Sequence, residues 1–101
     1  MTAPLPLPVA RSLKRLGANI SKARRRREWD QATFANIMGI SLASLKRLEA
    51  GRPGIGLHTL VRALLALQRL DDFDRLLEAP NDTIGLIHQD EKLPMRVRKT
   101  A

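Results

Sequence analysis

The chain has no cysteine, which excludes disulfides and thiolate metal sites and fits a reducing compartment. It has no tyrosine, one tryptophan and two phenylalanines, so a base-stacking surface of the kind used by single-strand and RNA binders is poorly supplied. No apolar run approaches the ~18 residues needed to span a bilayer. The start, Met1 to Ala10, is rich in proline and lacks the basic segment of a secretory signal, so the expectation is a cytoplasmic protein with no membrane partner. Enzymatic constellations are equally scarce. His58 and His88 have no acid at metal-ligand spacing around them, and no nucleophile is paired with a base. Asp71, Asp72 and Asp74 are accounted for by a helix start. No catalytic residue, metal ligand or cofactor is expected. The stretch Gly51-Arg-Pro-Gly-Ile-Gly56 lacks the Gly-Lys-Ser/Thr ending and the preceding strand of a phosphate loop, so it reads as a connection.

What is present is charge, unevenly placed. The 101 residues carry a net charge of +8 with 44% hydrophobic content, which suits one small folded domain. Residues 1–52 hold eleven Lys/Arg and three Asp/Glu, residues 53–91 three and seven, and residues 92–101 four and none. A basic half beside an acidic segment is expected where one face meets a polyanion, and nucleic acid fits better than a face kept for solubility.

Residues 31 to 51, Gln-Ala-Thr-Phe-Ala-Asn-Ile-Met-Gly-Ile-Ser-Leu-Ala-Ser-Leu-Lys-Arg-Leu-Glu-Ala-Gly, describe two short helices joined by a tight turn. Phe34, Ala35 and Met38 form an apolar stripe at helical spacing. Gly39 supplies the left-handed residue at which the first helix stops. Ser41 is an N-cap, and Leu45 and Leu48 form the inner face of the second helix. Ala35 must be small, because the second helix crosses there. This is the helix-turn-helix pattern.

Around it the chain organises into three segments. Pro4, Pro6 and Pro8 mark a flexible arm over 1–10. Residues 11–79 form a helical domain. Within it, Val9, Leu13, Leu16, Ile20 and Ala23 predict a long first helix ending near Glu28. Trp29 with Phe34, Ile40 with Leu45 and Ile55 with Leu60 read as three hydrophobic staples, the first around the N-cap Asp30. A fourth helix is expected from about Leu57 to Leu67, and a fifth from about Asp71 to Glu78. The fourth is apolar on more than one side and needs a second surface to cover it. Pro80-Asn-Asp breaks the pattern, so residues 80–101 read as a dimerisation or partner-binding tail. It contains one short strand, Thr83 to His88, that must pair with another chain, and a basic end from Lys92 that is unstructured when unbound. Leu64, Leu67, Ile84, Leu86 and Ile87 are the expected dimer or partner surface.

On the second helix of the pair, Leu42, Ala43, Lys46 and Arg47 face outward where a major groove would be read. Arg47 can contact guanine bidentately. Leu42 and Ala43 could touch only thymine methyls, and Leu42 is equally well a structural residue. Gln31, Ser41, Ser44, Lys46 and Arg52 sit where amides, hydroxyls and cations meet phosphates, although Ser41 also serves as a cap and Lys46 suits a solvated face. One arginine of the run Arg24 to Arg27 is expected to pair with Glu49.

With these residues in view, the chain over residues 12–68 resembles the Cro/C1-type (xenobiotic-response-element, XRE) helix-turn-helix family of phage and bacterial regulators. The residues that carry the resemblance are Gln31-Ala32, Ala35, Gly39, Ile40-Ser41, Leu45, Leu48-Glu49 and Gly51. The resemblance implies an all-α, compact five-helix, lambda-repressor-like domain, here followed by the short strand. It also implies phosphate contacts by Gln31 and Ser44, base reading at Leu42, Ala43 and Arg47, and an ion pair between Arg24 and Glu49. Leu42 departs from the polar readers usual there. Residues 51–60, the Leu-Asp-Asp-Phe-Asp-Arg-Leu-Leu segment and the tail are similar to HipB-type antitoxins. That narrower similarity implies a bacterial homodimer that represses its own operon through a palindromic double-stranded DNA operator and neutralises a HipA-like serine/threonine kinase toxin. A free-standing repressor without a toxin and a protein-binding adaptor are the alternatives.

Overall fold

The first helix, α1 (Leu7–Arg26), starts at Pro6, which occupies the N-cap, and has Pro8 in its first turn. A missing N–H is no loss there, because first-turn donors have no partner within the helix. Residues 7–10 are therefore helical, and the arm expected over 1–10 is shorter than its prolines imply. In this computed structural model the described residues are 3–92, and residues 3–6 have no regular structure. The basic end expected to be unstructured lies, apart from Lys92, outside the described residues.

Four successive helices close in the same way. Trp29 N–H returns to the Arg24 carbonyl and Glu28 N–H to that of Arg25; Ile40 and Gly39 repeat this on Ala35 and Asn36. Arg52 and Gly51 do so on Arg47 and Leu48, and Arg69 and Gln68 on Leu64 and Leu65. Each pair is a Schellman closure with its penultimate donor in the left-handed region. Gly39 (φ 74°) is the residue the sequence marked for this conformation and Gly51 (φ 72°) shares it, whereas Glu28 and Gln68 (each φ 60°) carry side chains there.

Between these closures lie α2 (Gln31–Met38) and α3 (Leu42–Glu49). Asp30 Oδ1 accepts the Thr33 N–H at 2.7 Å, and Ser41 Oγ accepts that of Ser44 at 3.1 Å. The Trp29 and Phe34 rings stack with centroids 5.6 Å apart, as the staple requires. Phe34 and Leu45 are completely buried, and Ile20, Ala35, Met38, Leu48, Ala63 and Leu67 complete the core. Ile40, Ile55 and Leu60 pack against it.

Helix α1 meets the end of α3 at close range. A Cβ on Gly17 would lie 2.5 Å from the Glu49 carbonyl oxygen and 2.7 Å from that of Leu48, and one on Gly51 would lie 2.5 Å from Lys14 Cα. Backbone meets backbone there, at a separation only glycine permits.

Helix α4 (Leu57–Ala66) buries Thr59 and Ala63, while Leu57 and Leu65 remain 65% and 63% exposed. Leu64 is half-buried. Leu67, expected on the dimer or partner surface, is instead a core residue at 3% exposure. It lies one turn beyond Ala63 on the same stripe, so the width of the apolar set masked its direction.

Residues 1–70 form one compact unit, and residues 71–101 a second, so the division falls earlier than the expected break at residue 80. The second unit contains most of the short α5 (Leu70–Asp74), a 3₁₀ turn (Ala79–Asn81) and α6 (Thr83–Lys92). Helix α5 ends well before Glu78. The strand expected over Thr83 to His88 is not formed: Ile84, Leu86 and Ile87 lie in α6. Asp82 opens this helix, its Oδ1 accepting the Gly85 N–H at 3.0 Å and its carbonyl the Leu86 N–H. A helix satisfies its backbone locally, which a lone strand cannot do. The described residues are thus all-helical, with six α-helices rather than five and no strand. None of these helices is long and apolar enough to cross a membrane.

Candidate nucleic-acid interface

Three devices hold α3 in place and decide which side chains it offers. Its inner face, Leu45 and Leu48, is locked in the core. Its start is capped by Ser41. Its end is tied by Glu49, whose carboxylate takes Arg24 Nε at 2.7 Å and Arg24 Nη2 at 3.1 Å. Arg24 also donates to the Trp29 carbonyl at 2.8 Å. The pair is buried, with side-chain exposures of 10% and 6%. A bidentate, desolvated geometry of this kind fixes orientation more than a surface pair could.

Gln31 joins the same node, donating from Nε2 to Glu49 Oε1 at 3.0 Å. Its amide nitrogen has a second hydrogen for an external acceptor. The first turn of α2 is therefore bolted to the last turn of α3 through one carboxylate.

Leu42, Ala43, Lys46 and Arg47 are all exposed on α3, as is Arg52 just after it. The Ser41 hydroxyl donates to Ser44 Oγ at 3.0 Å, and Arg47 Nη2 reaches the same oxygen at 3.3 Å. Arg47 is thereby steadied along its own helix while most of its donors stay free to meet a planar acceptor pair. Ser44 is half-buried, and its hydroxyl serves this chain within the helix.

Asp30, which opens α2, is held below the usual aspartate range. The Thr33 backbone N–H is the largest cause, followed by the Thr33 side chain and, opposing a small desolvation effect, the charge of Arg24. The cap is thus a carboxylate at neutral pH, favourable at a helix N-terminus.

Two arginines have roles that were not read from the sequence. Arg27 donates to the Ala23 and Leu67 carbonyls at 2.8 and 2.9 Å, linking the ends of α1 and α4, and Arg62 donates to the Met38 carbonyl at 3.1 Å. For Arg27 the available signal was its place just past the last turn of α1, where terminal carbonyls need donors; Arg62, in the middle of α4, carries no such signal.

No group of three or more His, Cys, Asp or Glu converges among the described residues. A cleft of about 200 Å3 between α1 and α4 is lined by Leu13, Leu16, Leu48, Ile55, Leu57 and Leu60, with Arg52 at its edge. It brings no acid, base or nucleophile together. Comparison of the chain with protein-family models, with curated proteins and with solved structures finds no match in any of the three.

Proposed function

We propose that the α2–α3 pair is a helix-turn-helix of the Cro/C1 type and that the protein is a sequence-specific, double-stranded DNA-binding repressor. The observation that carries this reading is the outward side of α3. It presents Leu42, Ala43, Lys46 and Arg47 on a helix whose start, end and inner face are all fixed. In this reading Arg47 reads a base, Ala43 and Leu42 contact apolar base edges, and Gln31, Ser41, Ser44, Lys46 and Arg52 position the phosphates. Two copies would place their α3 helices ~34 Å apart on a palindrome. The exposed Leu57 and Leu65 of α4 and Ile84 and Ile87 of α6 supply apolar surface for that association. The narrower reading, an antitoxin that autoregulates its operon and neutralises a HipA-like kinase, rests on residues 51–60 and 70–77; a pairing strand is no longer part of it.

Selection of duplexes from a random pool would define the operator. Arg47→Ala should then relax preference at one base position. Lys46→Ala and Arg52→Ala should weaken binding to every duplex and reduce the salt slope by about one each. Equal losses for Arg47→Ala on operator and random duplex would remove it as a base reader. A kinase-like reading frame beside the gene, and a stable complex between the two products, test the antitoxin role.

A further inference from the structure

Helix α1 contains seven Lys or Arg and no acid. Arg24 is consumed by Glu49, and Arg27, just beyond the helix, by two carbonyls. The other six, Arg11, Lys14, Arg15, Lys22, Arg25 and Arg26, are all exposed, and none forms an ion pair with a described residue. Arg25 Nε makes a 3.4 Å contact with the Ser21 carbonyl. Their spacing puts them on one face, as two triplets separated by the exposed Ala18 and Asn19 and spread over roughly 22 Å of helix.

Such a face works against helix stability. Arg11 with Lys14 and Arg15, and Lys22 with Arg25 and Arg26, are like charges at i, i+3 and i, i+4, which repel. The macrodipole favours Arg25 and Arg26 near the C-terminus but not Arg11 near the N-terminus. A solvated face kept for solubility would mix signs; this one does not.

The chemistry of the face selects its partner. The opposite side of α1 (Leu16, Ile20, Ala23) is committed to the core, and Leu7 and Val9 of its first turn are its only exposed large apolar residues, too few to seat the helix in a membrane surface. The face has no aromatic residue on which an unpaired base could stack. What remains is a rigid rod of positive charge matched to a regular, dense line of negative charge, which is the backbone of duplex nucleic acid. We infer that the outer face of α1 is a second, sequence-independent contact to the duplex backbone, separate from the α3 face. This rests on the DNA-binding reading and extends it: α3 would choose the site and α1 would supply much of the affinity.

The test uses the full chain with two triple variants, Lys22→Gln/Arg25→Gln/Arg26→Gln and Arg11→Gln/Lys14→Gln/Arg15→Gln, each checked for unchanged helicity and melting. Binding to a 30-base-pair mixed-sequence DNA duplex and to the selected operator is followed from low to high salt. Each triple should lower the slope of log K against log salt by about two to three, near 0.9 per lost phosphate contact. Affinity for both duplexes should fall by the same factor, leaving base preference intact. An unchanged slope in both variants overturns the inference while leaving the α3 reading standing. So does a loss of self-association in sedimentation without a change in slope, which would assign the face to the acidic segment of a second copy. No duplex binding by the unmodified chain would overturn both readings.

Discussion

The Arg24–Glu49 pair shows how much a single residue can hold. Burying a charge is tolerated only when its partner is present, and removing one member of such a pair costs about 3–5 kcal/mol. Arg24→Ala should therefore take away much of the stability of a small domain, measured by the urea midpoint. Adding Glu49→Ala should restore part of the loss, because the stranded carboxylate goes with it. A loss of a few tenths of a kcal/mol for Arg24→Ala would mean the pair is not the strap described here. Asp30 offers a test through pH. Its folded pKa lies below the unfolded value, so its contribution is fully present above the unfolded value of about 4 and fades as pH falls through the lowered one. Asp30→Asn keeps a capping oxygen without the charge. The stability difference between the two proteins should thus be constant above about pH 5 and shrink at lower pH. A difference independent of pH down to acid unfolding would contradict the assignment.

At the scale of elements, Gly17 sets two tendencies against each other. Helix propensity alone says that Gly17→Ala should stabilise α1 by about 1 kcal/mol. The carbonyls of Leu48 and Glu49, within 2.7 Å of the new Cβ, say that the helices must separate. Packing should win, with a net loss of about 1–3 kcal/mol in chemical denaturation; a gain would show that α1 and α3 do not meet there.

The elements were legible where a local rule spoke without competition. Asp30, Gly39 and Ser41 marked ends, and the Trp29–Phe34 staple marked an entry angle. Reading failed where two rules competed. Thr83 to His88 is apolar and β-branched enough for a strand, yet Asp82 can cap a helix, and local backbone satisfaction prevailed. Leu67 belonged to an apolar set too broad to assign by inspection, and only its step from Ala63 places it inside. Within the site, the outward residues of α3 followed from helical period. The Gln31–Glu49 bond and the carbonyl contacts of Arg27 and Arg62 depend on how separate helices meet, which spacing along one helix does not encode.

The whole molecule divides by charge as well as by packing. Residues 1–70 carry thirteen Lys/Arg against three Asp/Glu, and residues 71–92 carry two against seven. Among the described residues every buried core residue lies within the first unit, whereas Leu77 and Ile84 of the second are 81% and 70% exposed. The second unit has no buried residue among those described. A fragment of residues 1–70 should unfold cooperatively by circular dichroism and retain contact with duplex DNA, while self-associating more weakly than the full chain in sedimentation. A fragment without a cooperative transition would show that the second unit is needed for the core.

The meeting of Gly17 and Gly51 also bears on how this protein can change over generations. Exposed positions, those of α3 included, are free to drift, but no larger residue enters either place without prising two helices apart. Distant descendants, unrecognisable elsewhere, should still show a glycine seven positions before the buried arginine and another two positions after the glutamate it grips. That spacing is set by where two backbones touch, and it would outlast every residue that has to do with what the protein binds.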